Sequence, residues 1–333
     1  MKYFLYLFLL FSLFAKADEY ELGHGYKISD ELILGGYFST DYSQGDEKRQ
    51  FRLDDVAILA YGDLTQNFSY LVELEAAPFY EKDYKSGESN TNNSFHYERI
   101  FSTYNYSELV NVRVGKQITP IGYWNLEPIN VLRDTSSNPF YSNKIFPKLL
   151  TGIDLFGYLD EDNTLAYHLF GQATDDIDED YINIKNDLFI GSSLEYEASD
   201  EFSFGGAVAY YETKKMDYRD ERDVLLFQAD AKYDNYPFLL QTEWAYTVVE
   251  DQATKSNSNQ FSGYTQGLYN FNMKHAIISR YEYFEDNDLD EDTHLGILGY
   301  SYRPMPSISI KAEYQINSNS YYSKALVSFS VLF

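Results

Sequence analysis

The sequence predicts an all-β protein, a transmembrane antiparallel β-barrel of 16 strands. Three observations predict it. Apolar residues alternate with small or polar ones over short segments, the connections between segments alternate between tight and long, and aromatic residues make up 18% of a chain with no cysteine.

The opening residues come first. Residues 1–17, "MKYFLYLFLLFSLFAKA", carry Lys2, an apolar run over 3–14 and a small-x-small end at Ala15-Lys16-Ala17. This reads as a secretory signal peptide, because the run is too short for a helical span of about 20 residues. The expected divisions are 1–17 signal peptide, 18–31 N-terminal periplasmic segment and 32–333 barrel. Removing Lys2 and Lys16 leaves 24 basic against 52 acidic residues, a net charge of −28. Such acidity excludes nucleic acid as a partner, since phosphates would be repelled. The abundance of Tyr and Phe excludes a disordered chain.

The strands follow in order. Phe202, Phe204, Gly206, Val208 and Tyr210 alternate with Ser203, Gly205, Ala207 and Ala209. Ile308, Ile310, Ala312, Tyr314 and Ile316 alternate with Ser309, Lys311, Glu313 and Gln315. Alternate residues of a strand point to opposite faces, so each segment has one apolar side and one small or polar side. The same pattern, with variations, marks 32–41, 50–61, 68–79, 95–106, 109–116, 151–159, 164–173, 187–197, 202–212, 224–233, 238–249, 261–270, 274–284, 293–302, 307–317 and 321–333. Faces are ambiguous in the fourth, twelfth and fourteenth. Tight connections at 62–67, 107–108, 160–163, 198–201, 234–237, 271–273 and 303–306 alternate with longer ones that include 80–94, 117–150, 174–186 and 285–292. Of that second set only the last, near 318–320, is expected to be short. Short turns at one end and long loops at the other are the pattern of an outer-membrane barrel. Closure follows because in lipid every backbone donor and acceptor needs a protein partner. The last strand, with Val327, Phe329, Val331 and Phe333 on one face, should pair with the first. Tyr61, Tyr70, Tyr158, Tyr196, Tyr233, Tyr246 and Tyr314 sit near strand ends, where girdles at the lipid–water boundary are expected. A soluble sandwich or propeller would need an apolar inner face on every strand, whereas here the opposite faces show Gly, Ala, Ser, Gln and Glu.

Two stretches carry a family resemblance. "FRLDDVAILAYGDLTQNFSYLVELE" (51–75) resembles the second-to-third-strand hairpin of the phosphate-selective porin O and P family of bacterial outer-membrane porins. "VRVGKQITPIGYWNLEPINVLRDTSSNPFYSNKIFPKLLTGIDLFG" (112–157) is similar to that family's Gly-Lys-x-x-Thr-Pro-x-Gly junction, long loop and returning strand. The resemblance implies a 16-stranded porin barrel, a homotrimer, and a third external loop that bends inward to constrict the channel. The terminal aromatic strand also looks like the signal read by outer-membrane assembly machinery.

The residues of 117–150 agree independently. It is the longest connection, and it carries apolar anchors (Ile121, Trp124, Leu126, Ile129, Phe140, Phe146) that a solvated loop would not need. Prolines 120, 128, 139 and 147 limit its freedom. The constriction residues are expected to be Lys116, Glu127, Arg133, Asp134, Lys144 and Lys148. The expected pore-lining groups are Arg52, Asp54, Glu73, Glu75, Arg113, Asp154, Asp230, Lys232, Glu243, Arg280, Glu282, Lys311 and Glu313. Neighbours two residues apart on one strand (Arg52/Asp54, Asp230/Lys232, Arg280/Glu282, Lys311/Glu313) are expected to pair. The wall is net acidic and lacks a dense basic ladder. The external runs "DDIDED" (175–180) and "EDNDLDED" (285–292) should make the mouth negative and attract cations.

The function expected is therefore passive diffusion of small hydrophilic solutes and ions across the bacterial outer membrane, with weak cation preference and no cofactor. Its expected surroundings are outer-membrane lipid and lipopolysaccharide. An anion- or phosphate-selective porin, a plugged barrel acting as an adhesin or structural surface protein, and a barrel hydrolase remain alternatives. No G-x-S-x-G or H-E-x-x-H motif occurs, and the five histidines are scattered without metal-ligand spacing. The protein is expected not to be an enzyme.

Overall fold

The computed structural model describes residues 20–29, 31–215 and 221–333. The signal-peptide reading of 1–17 lies outside the described residues. Among the described residues there are 20 strands: β1 (Tyr20–Glu21), β2 (Gly25–Ser29), β3 (Leu32–Gly45), β4 (Arg49–Thr65), β5 (Phe68–Ala76), β6 (Tyr80–Asp83), β7 (Ser89–Thr91), β8 (His96–Asn105), β9 (Asn111–Ile118) and β10 (Leu149–Tyr158). The series continues with β11 (Leu165–Gln172), β12 (Asn186–Ser199), β13 (Phe202–Thr213), β14 (Arg222–Asn235), β15 (Phe238–Asp251), β16 (Asn257–Asn272), β17 (His275–Asp286), β18 (Glu291–Met305), β19 (Ile308–Asn317) and β20 (Lys324–Leu332).

Sixteen of these, β3–β5 and β8–β20, form a closed antiparallel barrel in which each strand pairs with its sequence neighbours. Closure is made by β20 against β3, running from Lys324 opposite Gly45 to Leu332 opposite Tyr37. Phe333 completes the seam: its N–H donates to the Gly36 carbonyl at 2.7 Å, and the Gly36 N–H donates to its carbonyl at 2.8 Å. A side chain at Gly36 would collide with the Phe333 ring. The four remaining strands extend the edges. The β1–β2 hairpin adds to β3, and the β6–β7 hairpin adds to the outer end of β4. No helix among the described residues is long and apolar enough to cross a membrane, which says nothing about strands.

The faces are inverted relative to an ordinary globule. In β19, Ser309, Lys311, Glu313 and Gln315 are buried, while Ile310, Tyr314 and Ile316 are 40–59% exposed. In β12 and β13, Ile190, Leu194, Phe204 and Val208 are exposed. A scattered exposed Leu means little, but a whole surface of alternating Leu, Ile, Phe and Tyr over buried charges does.

Three sequence expectations need correction. The short external turn near 318–320 is not alone, because 46–48, 252–256 and 287–290 are short too. Strands such as β14 and β16 run on through Arg222, Asp223, Asn257 and Asn259, where both faces are polar and the apolar alternation fades. The connection 80–94 is partly the β6–β7 hairpin rather than free loop. Tyr61 and Tyr158 do not face outward. Tyr61 packs with Tyr37, Ala57 and Leu59, and its hydroxyl donates to the His24 carbonyl at 2.8 Å. Tyr158 shares the face of Asp154 and lies opposite Ala166. Around Tyr158 both faces read apolar (Ile153 and Leu155 against Phe156), so period two could not choose between them.

Candidate functional site

The segment 119–148 between β9 and β10 meets the buried polar faces of the strands. It contains two short helices, α1 (Tyr123–Leu126) and α2 (Phe140–Lys144). Its ends are locked together: the Thr119 N–H donates to the Lys148 carbonyl (2.9 Å), and the Thr119 hydroxyl donates to the Pro147 carbonyl (2.7 Å). Asn125 Nδ2 bonds the carbonyls of Thr119 (2.7 Å) and Lys148 (3.1 Å). Apolar anchoring comes from Ile121, Trp124, Tyr141, Ile145 and Phe146, which pack with Phe170, Phe189, Tyr211, Tyr264 and Phe284 of the strands.

Between these ends the segment is tethered to the buried faces of strand after strand. Tyr123 Oη meets Ser203 Oγ of β13 at 2.8 Å. The Trp124 N–H donates to Glu243 Oε1 of β15 (2.8 Å), and Gln266 of β16 donates to Asp134 (3.1 Å). Arg280 of β17 donates to Thr135 Oγ1 (2.5 Å) and the Ser137 carbonyl (2.8 Å), while Glu282 accepts from the Phe140 N–H (2.9 Å). Arg303 of β18 donates to the carbonyls of Val131, Leu132 and Arg133, and Lys311 of β19 donates to the Asn130 and Thr135 carbonyls. Glu313 accepts from Ser136 and Ser137. Ile129 and Val131 pack on Tyr37, Ala57 and Leu59 of β3 and β4. Charge-assisted bonds of this kind are among the stronger ones available, and they fix irregular backbone that has no ladder partner.

Two glycines of the Gly-Lys-x-x-Thr-Pro-x-Gly stretch have a physical reason to be there. Gly115 (φ +130°) and Gly122 (φ +68°) adopt backbone that side-chain-bearing residues rarely do. A Cβ on Gly122 would stand 1.9 Å from Glu243 Oε2. The carboxylate that holds α1 therefore requires glycine beside it.

The expected constriction residues fall in different places. Lys116 belongs to β9, not to the loop, and is fully buried against Asp176 at 2.6 Å. Lys144 pairs with Glu291 (2.7 Å) and lies 4.0 Å over the Phe284 ring, near the outer end of β17. Glu127 is exposed, and its carbonyl accepts from Arg133. Burial raises the Asp134 carboxyl, with Arg303 opposing. Arg133 and Lys148 have no ion-pair partner among the described residues.

The expected wall residues Arg52, Asp54, Glu73, Glu75, Arg113, Asp154, Asp230, Lys232, Glu243, Arg280, Glu282, Lys311 and Glu313 are all buried or half-buried. Two of the four expected neighbour pairs form: Arg52–Asp54 at 3.3 Å and Arg280–Glu282 at 2.8 Å. The other two do not. Lys311 and Glu313 turn to the 119–148 segment instead. Lys232 stands 3.8 Å from Asp234 while Asp230 accepts from Gln228. Arg113 stacks on Phe101 and Phe156. The acidic runs are also less open than expected. Asp175 and Glu179 pair with Lys214, Asp176 with Lys116, Asp178 with His96, Asp288 with Arg222, and Glu291 with Lys144.

Four residues were missed. Asp55 and Glu98 each occupy a bulge. Asp54 and Asp55 together oppose Ser39, and Glu98 is the extra residue between the Glu73–Arg99 and Leu74–Tyr97 pairs. A bulge re-aims a side chain that strict alternation sends to the other face. Arg99, beside Glu98, pairs with Glu73. Arg303 was read as turn, but β18 continues to Met305. The available signal was two adjacent charges (Asp54-Asp55, Glu98-Arg99) inside otherwise alternating strands. Two cavities flank the segment. One of about 310 Å³ lies between α2 and β13–β17, and one of about 50 Å³ is lined by Gly122, Tyr123, His168, Ser193, Glu195 and Asp230.

This architecture is that of the 16-stranded bacterial porin barrels. No protein-family model and no curated relative matches the sequence, so the likeness is one of fold. The anion-selective porin from Comamonas acidovorans superposes with a TM-score of 0.66 at 12% identity, covering 91% of this chain and 99% of that one. Salmonella typhi OmpF, in complex with daunomycin, gives 0.63 at 18% identity, covering 91% and 97%. The outer membrane channel DcaP of Acinetobacter baumannii gives 0.63 at 12%, covering 93% and 100%.

Proposed function

We propose that this chain is an outer-membrane diffusion channel for small hydrophilic solutes and ions, and that the 119–148 segment lies across its lumen and narrows it. The observation that carries this reading is the inversion of faces on a closed barrel, combined with a loop hydrogen-bonded to the charged faces of β15–β19. Apolar side chains outside suit lipid, and charged side chains inside suit water. Membership of the outer membrane and assembly as a homotrimer fit the same reading, as does folding by the assembly machinery through β20.

Cation preference is the selectivity favoured. A phosphate- or anion-selective channel needs converging cations free to replace a lost hydration shell. Arg280, Arg303 and Lys311 instead spend their donors on loop carbonyls and hydroxyls, and Arg52 and Arg99 on carboxylates. A hydrolase is disfavoured by its best candidate. His168 Nδ1 meets Asp154 at 2.9 Å and lies opposite Ser193 in register, yet no Ser193–His168 hydrogen bond forms.

Single-channel recording tests the constriction. Replacing two tethers, Arg280→Met with Lys311→Met, should raise conductance and its noise by freeing the segment. Unchanged conductance in a folded double variant would place the segment outside the path.

A further inference from the structure

A watery lumen calls for a polar inner wall, but the outer end of the wall between β13 and β17 is apolar. Tyr211, Val224, Val249 and Phe284 are 2–3% exposed there. They continue the inward faces that carry Ser203, Asp230, Glu243 and Glu282 elsewhere on the same strands. Ile145 and Phe146, just past α2, cover part of this patch. The rest lines the cavity of about 310 Å³ between α2 and the strands, where Ile184 and Leu289 add to the apolar wall. Close-packed proteins leave few voids larger than a water molecule, and a space of this size is in the range of small-ligand pockets. Its rim is open to the outer mouth: the Lys144 and Glu291 side chains, paired at 2.7 Å, are 36% and 38% exposed.

Most polar groups around the cavity already have partners. Lys214 is shared among Asp175 (2.6 Å), Asp187 (3.1 Å) and Glu179. Gln260 donates to Asp286 (2.7 Å), and Asn183 donates to the carbonyls of Asn143 (3.2 Å) and Phe146 (2.8 Å). Arg222 is different. It is 7% exposed, its Nη2 pairs with Asp288, and its backbone N–H donates to Thr213 Oγ1 at 3.2 Å. Its Nε is buried with no acceptor among the described residues. A buried guanidinium donor without an acceptor is costly, and a ligand that supplies one removes that cost. A carboxylate is the best match, being anionic, planar and shaped for the guanidinium fork.

We propose that this cavity binds a small carboxylate with a compact apolar body. The body lies against Val224, Val249, Phe284, Ile184 and Leu289, and the carboxylate accepts from Arg222 Nε. Both halves of the ligand are needed. A bare anion meets Asp288 and Glu291 without gaining the apolar contact, and an uncharged body gives the Arg222 donor a weaker acceptor.

Cyclohexanecarboxylate is the probe. Cyclohexanecarboxamide removes its charge at nearly constant size, and acetate removes its ring. Each is titrated by calorimetry into the purified protein in lipid nanodiscs, with empty discs subtracted. Cyclohexanecarboxylate should saturate one site per chain and bind at least about tenfold tighter than the amide or acetate. Arg222→Gln should weaken it at least about tenfold and erase its advantage over the amide. Val249→Trp, which fills the cavity, should abolish binding of both ring compounds. Circular dichroism checks that each variant keeps its barrel, and the wild-type comparison of the three probes needs neither variant. Absence of saturable carboxylate binding by the wild type, or an amide or acetate that binds as tightly, overturns the proposal. Carboxylate binding that survives Val249→Trp, or that Arg222→Gln leaves unchanged, also overturns it. These titrations read binding without current, so their failure leaves the channel reading standing, and a barrel that conducts nothing leaves the site standing.

Discussion

At the scale of single residues, Gly122 and Glu243 are the pair on which the loop's position turns. Glu243 is fully buried and accepts from the Trp124 N–H, Gln241 and Tyr264. Gly122→Val would both strain a positive-φ position and strike that carboxylate, at a cost of about 2–4 kcal/mol. Urea titration of the folded protein in lipid vesicles should show the loss, and a neutral result would mean the close approach is not held in solution. Lys148 offers a pH readout. Burial, and then Arg133, hold its ammonium below the ordinary lysine range. It therefore discharges at a less alkaline pH than an ordinary lysine, and cation preference should rise over that interval. Reversal potentials across a salt gradient would follow this, and Lys148→Met should abolish the rise while showing the higher preference throughout.

Among the elements, alternation made the strands legible and bulges hid part of the site. Sixteen segments emerged from period two because each strand of a closed barrel meets different solvents on its two faces. The same rule sent Asp55 to the outside, since it cannot anticipate the extra residue opposite Ser39. It ended the fifth segment at Lys116 and counted that residue with the constriction, whereas β9 continues to Ile118. The apolar anchors and prolines of 117–150 did reveal a structured loop. Its tether points did not show, because Arg280, Lys311 and Glu313 read equally well as partners within their own strands. Strand faces also give a stability test. Leu298 sits mid-strand in β18 and is 57% exposed. In lipid, Leu298→Arg should cost about 2–4 kcal/mol. A soluble barrel would tolerate it with little change.

For the whole molecule, 26 more acidic than basic residues, no cysteine and 18% aromatic content come together only if the rings meet lipid and the charges meet water. The absence of native cysteine makes the distinction directly measurable. Single cysteines can be placed along β12 at Ser193, Leu194, Glu195 and Tyr196, and the protein, inserted in vesicles, can be offered a charged, membrane-impermeant maleimide or a lipid-dissolved one. Inside-out faces predict that Ser193→Cys and Glu195→Cys react with the aqueous reagent and Leu194→Cys and Tyr196→Cys with the lipid-borne one. Labelling of Leu194→Cys and Tyr196→Cys from water, with the other two protected, would contradict the account.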